Sequence, residues 1–430
     1  MPGRKVSLKL VCACCLMATL AGAPLMAAGF SLLFEQGAKA MGLAGAYTAT
    51  ADDPSAMYYN VGGLAFLKER EFMAGFTLVT SSGSDFTGAA PFPGEGVTEK
   101  LESLSEVPPH FYWVEPINDR WTFGLALNSP FGLVTEWDPA DFSGRFITTK
   151  GSLTTLDLSA NLGWQATNRL GVGFGAILRM AEVELNRYQG AINPFTGQIA
   201  DIADVTLKSD LDNTTGWHAG FLHRVNNSFS WGFNYRSEAQ MDFNGDARFR
   251  QIPTGYPQFD ALVATELPFG AALPISTTIE YPASWSLGAA AALSRNWRVE
   301  VDYNWTGWDS FQEVEVDFKG ALPNTVISQK WDDANNYRIG FRWLGSSSSE
   351  WRFGYVFDET PQPDETIGPL LPDADRDGFT VGYGRKGNGF TLDLALMYLL
   401  FDDRTTLVNE SGYNGTWKTE GLLFATSLSW

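Results

Sequence analysis

The stretch WRVEVDYNWT, residues 297–306, alternates apolar and polar side chains without interruption. One face carries Trp297, Val299, Val301, Tyr303 and Trp305, and the other carries Arg298, Glu300, Asp302 and Asn304. A period of two is typical of a β-strand with one apolar face. The same alternation recurs in LGVGFGAILRM (170–180), in WRFGYVFD (351–358) and in the last residues up to Trp430. The chain is therefore predicted to be all-β over most of its length.

The spacing of these segments indicates how they are connected. From residue 71 onward we predict fourteen strands, which begin near residues 71, 107, 120, 151, 169, 211, 228, 276, 296, 331, 349, 376, 388 and 416. Tight turns alternate with long loops along the whole series. The long loops are predicted around 81–106, 130–150, 188–209, 244–275, 317–330, 359–374 and 403–415. An even number of strands with short turns at one end and long loops at the other describes an antiparallel outer-membrane β-barrel. A secreted β-sandwich shows the same alternation with its apolar face inward, but it does not explain the two kinds of connection.

The first 27 residues are predicted to be a secretory signal peptide. Arg4, Lys5 and Lys9 precede an apolar run over 10–20, and small residues follow up to Ala28. This run is too short to span a membrane. All three cysteines lie in this segment, so the mature chain is expected to have neither disulfides nor a catalytic thiol. The formal charge of −19 disfavours nucleic acid as a partner.

Residues 28–70 do not alternate and are rich in small and turn-forming residues. A fourteen-stranded barrel encloses a lumen that side chains alone do not fill. We therefore predict that 28–70 form a hatch with short helices that plugs the lumen of a barrel built from 71–430. Asp52 and Asp53 precede Pro54, which suits the start of a helix or a turn. The apolar content of the segment disfavours a disordered tail.

The stretch AGFSLLFEQGAKAMGLAGAYTATADDPSAMYYNVGGL (28–64) resembles the N-terminal hatch of the FadL/TodX family of outer-membrane transporters. Further similarities are NSPFGLVTEWD (128–138), FNYRSEAQMDFNG (233–245), VDYNWTGWDSF (301–311) and LPDADRD (371–377). The resemblance implies a fourteen-stranded barrel in the outer membrane with the hatch in its lumen. One difference is that Val61 and Gly62 follow Asn60 where the family has Pro-Ala, which bears on the local geometry of the hatch.

The resemblance also implies a function, which is passive uptake of long-chain fatty acids or related hydrophobic molecules. The expected steps are binding in a lumenal pocket, rearrangement of the hatch and lateral release through the wall. The hatch and gating residues implied are Phe30, Asp52, Asp53, Asn60 and Gly62. Gly124 and Pro130 in the third strand are the candidates for a lateral opening.

Two alternative transport functions are possible for a barrel of this kind. A monoaromatic hydrocarbon channel of the same fold fits the sequence equally well, because an apolar pocket selects size and shape rather than a chemical class. A general diffusion porin fits less well, since a plug opposes open conduction.

Two cations are the candidate ligands for a carboxylate. Strand parity predicts that Arg187, near the outer end of the fifth strand, faces the lumen. Lys330 shares the parity of Arg338 and Arg342 on the tenth strand, so it is expected to face the lumen near the same end. Two cations beside apolar walls hold a carboxylate through charge-assisted hydrogen bonds. The family resemblance supports this role, and the alternative is that each cation pairs with a lumenal Asp or Glu.

No catalytic, metal or cofactor site is predicted. A barrel lipase needs a Ser-His pair at the bilayer rim, and neither His110, His218 nor His223 lies in a nucleophile motif. LPDADRDG (371–378) resembles a calcium loop, but its twelfth position is Gly384 where an EF-hand needs Glu. The partners expected are hydrophobic small molecules, outer-membrane lipid, lipopolysaccharide and the barrel-insertion machinery, and the protein is expected to be monomeric.

Overall fold

The computed structural model describes residues 29–32, 34–81, 83–103 and 105–430. The predicted signal peptide, residues 1–27, lies outside these ranges. Twenty-five strands occur in the described ranges. In chain order they are β1 Glu71–Ser81, β2 Asp85–Gly88, β3 Thr98–Lys100, β4 Ser105–Glu106, β5 Pro109–Pro116, β6 Trp121–Asn128, β7 Gly132–Glu136, β8 Lys150–Gln165, β9 Leu170–Ile192, β10 Ile199–Ser209, β11 Asp212–His223, β12 Phe229–Arg236, β13 Ala239–Gln251, β14 Ala272–Tyr281, β15 Ser284–Ala292, β16 Trp297–Thr306, β17 Glu313–Val316, β18 Thr325–Ser328, β19 Ala334–Ser346, β20 Ser349–Asp358, β21 Arg376–Lys386, β22 Thr391–Phe401, β23 Arg404–Thr406, β24 Gly415–Lys418 and β25 Glu420–Ser429.

Nineteen of these strands form one antiparallel sheet, which closes because β1 pairs with β5 on one side and with β25 on the other. Five passes across the barrel consist of two consecutive strands each, namely β4–β5, β6–β7, β10–β11, β12–β13 and β14–β15. The described part of the chain therefore makes a closed barrel of fourteen passes, and the predicted fold class is confirmed. The remaining strands form a hairpin (β17–β18) and a small sheet in the order β23-β24-β2-β3.

At the end of the barrel that carries the long loops, the strands extend further than the sequence predicts. β9 runs to Ile192 and β10 begins at Ile199, where a loop over 188–209 was expected. β13 continues to Gln251, also inside a predicted loop. Both faces of these extensions contain polar residues, because a wall that projects beyond the bilayer no longer needs an apolar outer face. The alternation therefore fades before the strands end.

The helices are short. Two of them, α1 Ala38–Met41 and α2 Ala56–Tyr59, lie in the hatch, and α3 Pro257–Glu266 lies between β13 and β14. The 3₁₀ helices are Val61–Phe66, Ser143–Phe146 and Trp308–Ser310. Across the described residues, no helix combines the length and apolar character needed to cross a membrane.

The protein's core lies inside the barrel rather than between sheets. On β9, Val172 and Phe174 are exposed on the outer face, whereas Gly173 and Ile177 are buried on the inner face. Hatch residues such as Ala38 and Ala46 are fully buried. The hatch thus provides the apolar interior that the inward faces of the strands pack against.

Candidate ligand site and hatch

A cavity of about 520 Å³ lies in the half of the barrel that carries the long loops. Volumes of about 300–1,000 Å³ are usual for small-molecule sites. Its walls are mainly aliphatic and aromatic side chains of the inward strand faces, including Leu153, Val183, Leu185, Leu207, Phe243 and Ile279. Such a lining binds apolar molecules by removing their surface from water.

Aromatic rings form one end of the cavity around Phe30, which is 3% exposed. The Phe30 ring centroid lies 4.6 Å from that of Trp308 and 5.3 Å from that of Phe311, in edge-to-face arrangements. Trp331 and Phe131 pack against the same ring. Both Phe30 and Phe311 line the cavity, so the start of the hatch is part of the candidate site.

Backbone contacts hold Phe30 in this place. The Gly132 N–H donates to the Phe30 carbonyl at 2.9 Å, and the Leu32 N–H donates to the Pro130 carbonyl at 2.8 Å. Together these bonds make an antiparallel β-bridge between Ser31 and Phe131. The hatch therefore pairs directly with the third pass of the barrel.

Arg187 is a lining residue of this cavity, as strand parity predicts. Among the described residues it forms no ion pair, and its buried Nε has no hydrogen-bond partner. A partly buried guanidinium without an anion is costly unless something pairs with it. Arg187 is thus a cation of the cavity wall that has no anionic partner among the described residues.

Lys330 is not a lining residue of the cavity that contains Arg187. The tenth pass, which is predicted to begin near residue 331, begins later in the structure. β19 begins only at Ala334, and Lys330 has a positive φ of 53°. Its Nζ forms an ion pair with Glu410, and its side chain is 55% exposed. The hydrogen bond from Lys330 lowers the pKa of Glu410, and the same bond raises the pKa of Lys330. Lys330 reaches the site only through Glu410, which lines the cavity.

Asp52 and Asp53 have different partners in the hatch. Asp53 Oδ1 accepts hydrogen bonds from the N–H of Ser55 at 2.9 Å and from its hydroxyl, which makes the turn that the sequence predicts. Asp52 instead pairs with Lys39 at 2.7 Å and with Arg342 of β19 at 2.8 Å. Asp52 therefore connects the hatch to the barrel wall. No sequence pattern predicts this pairing, because Arg342 is 290 positions away.

Asn60 holds the next turn of the hatch. Its side chain accepts from the Gly62 N–H at 3.0 Å and donates to the carbonyls of Thr48 at 2.6 Å and Phe221 at 3.0 Å. It thereby caps the 3₁₀ helix Val61–Phe66 and attaches it to the wall.

Val61 and Gly62 fit this environment better than Pro-Ala would. The Val61 N–H donates to Asn234 Oδ1 at 3.2 Å, and proline has no N–H. A β-carbon on Gly62 would lie 2.5 Å from the Cα of Phe221. The departure from the family pattern is therefore matched by a close approach of the hatch to β11.

The two residues predicted for a lateral opening behave differently. Pro130 lies between β6 and β7, where the third pass is interrupted over residues 129–131. Gly124 lies within the regular pairing of β6 with β5 and β8, so the strand is not interrupted there, and its role in a lateral opening stays a prediction. A β-carbon on Gly124 would lie 2.3 Å from Met57 Sδ, so this glycine makes room for the hatch.

Gln36 lies against the interruption in the third pass, and no sequence pattern predicts this position. Its Nε2 donates to the Ser129 carbonyl at 2.7 Å, and its Oε1 accepts from Ser129 N–H and from Asn128 Nδ2 at 3.3 Å. Among the described strands, β7 pairs only with β8. The hatch therefore covers the interrupted segment from inside.

These features define a class of protein, namely an outer-membrane β-barrel closed by an N-terminal hatch. A family model described as "Outer membrane protein transport protein (OMPP1/FadL/TodX)" matches residues 17–430. The chain belongs to this family, and its location in the outer membrane follows.

Relatives and solved structures agree with this assignment. The chain is 26% identical over 360 residues to the "Long-chain fatty acid transport protein" of Escherichia coli O6:H1, covering 78% of this chain and 79% of that protein. It is 26% identical over 403 residues to the "47 kDa outer membrane protein" of Pasteurella multocida, covering 90% and 89%. A Pseudomonas aeruginosa FadL homologue has a similar fold, with a TM-score of 0.79 at 20% identity over 94% of this chain and 99% of that one. The P. putida toluene transporter TodX gives 0.72 at 19% identity, covering 93% and 99%.

Proposed function

We propose that the protein is a channel for passive uptake of long-chain fatty acids or related hydrophobic molecules. The observation that carries the proposal is an apolar cavity of about 520 Å³ with one cation, Arg187, that has no anionic partner among the described residues. The aliphatic walls suit an acyl chain, and the guanidinium suits its carboxylate. The relatives named as fatty acid transport proteins support this proposal.

The route we propose begins at this cavity and continues past the hatch. Phe30 is part of both the cavity and the hatch, and the Ser31–Phe131 bridge joins the hatch to the interrupted third pass. Movement of residues 30–36 would therefore open the cavity toward the gap near Pro130. The ion pair of Asp52 and the cap of Asn60 hold the rest of the hatch in place during that movement.

The second candidate is uptake of monoaromatic hydrocarbons. The ring cluster of Phe30, Trp308, Phe311 and Trp331 favours it, because edge-to-face contacts suit an aromatic ligand. In this alternative Arg187 has a structural role. The solved toluene transporters share the fold with this chain, and their names describe those proteins only.

Binding of oleate and toluene to single variants of the purified barrel distinguishes the two candidates. Arg187→Ala should weaken oleate binding about tenfold or more, because a charge-assisted hydrogen bond contributes roughly 1.5–3 kcal/mol. The same change should leave toluene binding unaltered. Arg250→Ala is the matched control, since Arg250 is an exposed cation of β13 that pairs with Asp204.

Mass spectrometry of molecules extracted from the barrel provides the independent readout. Co-purified fatty acids would support the first candidate. Toluene binding without oleate binding, or an equal loss of both ligands in Arg187→Ala, would contradict it. Lys330→Ala should have little effect on oleate, because Lys330 is neutralised by Glu410.

We further propose that residues 1–27 are a cleaved signal peptide, that 28–70 are the hatch and that the barrel is monomeric. Assembly through the insertion machinery and contact with lipopolysaccharide follow from the location. We propose no catalytic role. His110 Nε2 lies 2.9 Å from Ser427 Oγ, but both residues are buried and Ser427 Oγ accepts the Ala38 N–H of the hatch. An esterase assay of the wild type and Ser427→Ala tests this statement.

A further inference from the structure

Charge is distributed unequally between the two ends of the barrel. The extracellular connections with their flanking strand ends carry 28 carboxylates against 10 cations; they are residues 82–108, 129–149, 187–211, 244–275, 307–333, 359–375 and 402–419. The opposite end, which we call the periplasmic rim, carries nine cations against five carboxylates; it comprises residues 68–71, 115–120, 165–170, 223–229, 292–298, 344–350 and 385–391. In a chain with a formal charge of −19, this rim is a positively charged surface.

The cations of the rim are exposed and mostly not neutralised within the protein. Six of them lie in or beside the tight turns and are exposed. Arg224 packs over the Phe66 ring at 4.0 Å, and the other five are Arg120, Arg169, Arg295, Arg385 and Lys386. Among the described residues, none of these five forms an ion pair, whereas Arg70 pairs with Glu115. The five charges are therefore available to an anion from outside the chain.

Exposed tryptophans mark where these cations lie relative to the membrane. Seven of them are within four residues of a tight turn or at the C-terminus, namely Trp121, Trp164, Trp231, Trp297, Trp343, Trp351 and Trp430. The pairs Trp121–Trp164 and Trp297–Trp343 stack across neighbouring strands at 5.9 and 6.2 Å. Such aromatic belts lie at the level of the lipid headgroups. Arg120 adjoins Trp121 and Arg295 is two residues from Trp297, so the cations lie at the phosphates.

We propose that the periplasmic rim binds the anionic phospholipid headgroups of the periplasmic leaflet, such as phosphatidylglycerol. Cations occupy five of the six tight turns, at 118–120, 166–169, 224–228, 293–296 and 385–390, and so surround the barrel. A leaflet contacts the barrel on all sides, whereas a periplasmic protein would dock on one. The adjacent tryptophans also require a lipid interface rather than a protein surface.

The full-length barrel is equilibrated with a mixture of phosphatidylethanolamine and a minority of phosphatidylglycerol. Native mass spectrometry then counts the lipid molecules that the barrel retains. The wild type should enrich phosphatidylglycerol by about threefold or more over the bulk mixture at low salt, since several cations act together. The fivefold variant R120Q/R169Q/R295Q/R385Q/K386Q should return the ratio to that of the bulk. A charge-conserving variant, R120K/R169K/R295K/R385K, should keep the enrichment.

The matched control neutralises five extracellular cations, K100Q/R248Q/R250Q/K319Q/K418Q, and should retain phosphatidylglycerol as the wild type does. Heat-modifiable mobility in gels verifies that each variant is a folded barrel. Equal enrichment of phosphatidylglycerol in the rim variant and the wild type would overturn the proposal. The cations would then be expected to bind an acidic periplasmic protein instead. An equal loss in the rim and control variants would overturn it as well, because the effect would then be one of net charge.

Discussion

At the scale of single residues, the hatch is defined by how closely it approaches the wall. Asn60 caps a hatch helix and bonds to the Phe221 carbonyl of β11, and Gly62 lies where a β-carbon would meet the Phe221 backbone. A proline at position 61 would have no N–H, whereas the Val61 N–H donates to Asn234 Oδ1. The residue types at positions 60–62 of the hatch therefore match the space and the hydrogen-bond partners that the facing strands provide.

Gly62→Ala should destabilise the folded barrel by about 1–3 kcal/mol, because an added methyl group in a close-packed interior forces the backbone to shift. Urea unfolding in micelles measures the change. Gly345→Ala is the control, since its β-carbon would have no neighbour nearer than 3.5 Å. Equal stability of both variants would contradict this prediction and show that the hatch backbone at residue 62 shifts at no cost in stability.

At the scale of elements, the third pass and the hatch behave as one unit. The pass is interrupted at Pro130, which has no N–H to donate to a neighbouring strand. The hatch segment 30–32 supplies backbone partners there, and the Gln36 side chain adds two more. A gap in the wall is thus covered by a segment that also touches the cavity.

The double variant S31C/F131C tests whether this contact must open. The two residues face each other in a narrow antiparallel pair, a geometry that accepts a disulfide, and the predicted mature chain has no other cysteine. Under oxidising conditions uptake of oleate or toluene into cells should stop, and a reductant should restore it.

The control for this experiment is T154C/E182C, a directly opposed pair of β8 and β9 in the rigid wall. Its oxidation should leave uptake unchanged. Uptake that persists with the Ser31–Phe131 disulfide formed would mean that the substrate leaves by a route that does not separate the hatch from the third pass.

At the scale of the whole molecule, function depends on a plug inside a wide barrel. Fourteen passes enclose a lumen that is wide enough for an aqueous pore. The hatch fills it, and ion pairs such as Asp52 with Lys39 and Arg342 connect it to the wall. The wild type should therefore show no large steady conductance in a planar bilayer.

Asp52→Asn should loosen the hatch, because it leaves Lys39 and Arg342 without an anionic partner at this point. The side chain of Asp52 is 34% exposed, so water screens the pair and the expected cost is about 1–2 kcal/mol rather than the full value for a buried pair. Brief conductance steps should appear in planar bilayers. Asp53→Asn, which changes only a local turn, should remain closed, and steps of equal frequency in both variants would contradict this role.

Sequence patterns alone are enough to predict the barrel, its number of passes, the inner and outer faces of strands such as β9, and the presence of a hatch. These features follow from a period of two and from loop lengths, which are local properties of the chain. Three contacts depend on the folded barrel and have no sequence pattern: Lys330 pairs with Glu410, Gly124 makes room for Met57, and Asp52 pairs with Arg342. These contacts join residues far apart in the chain, and closure of the barrel around the hatch sets which of them meet.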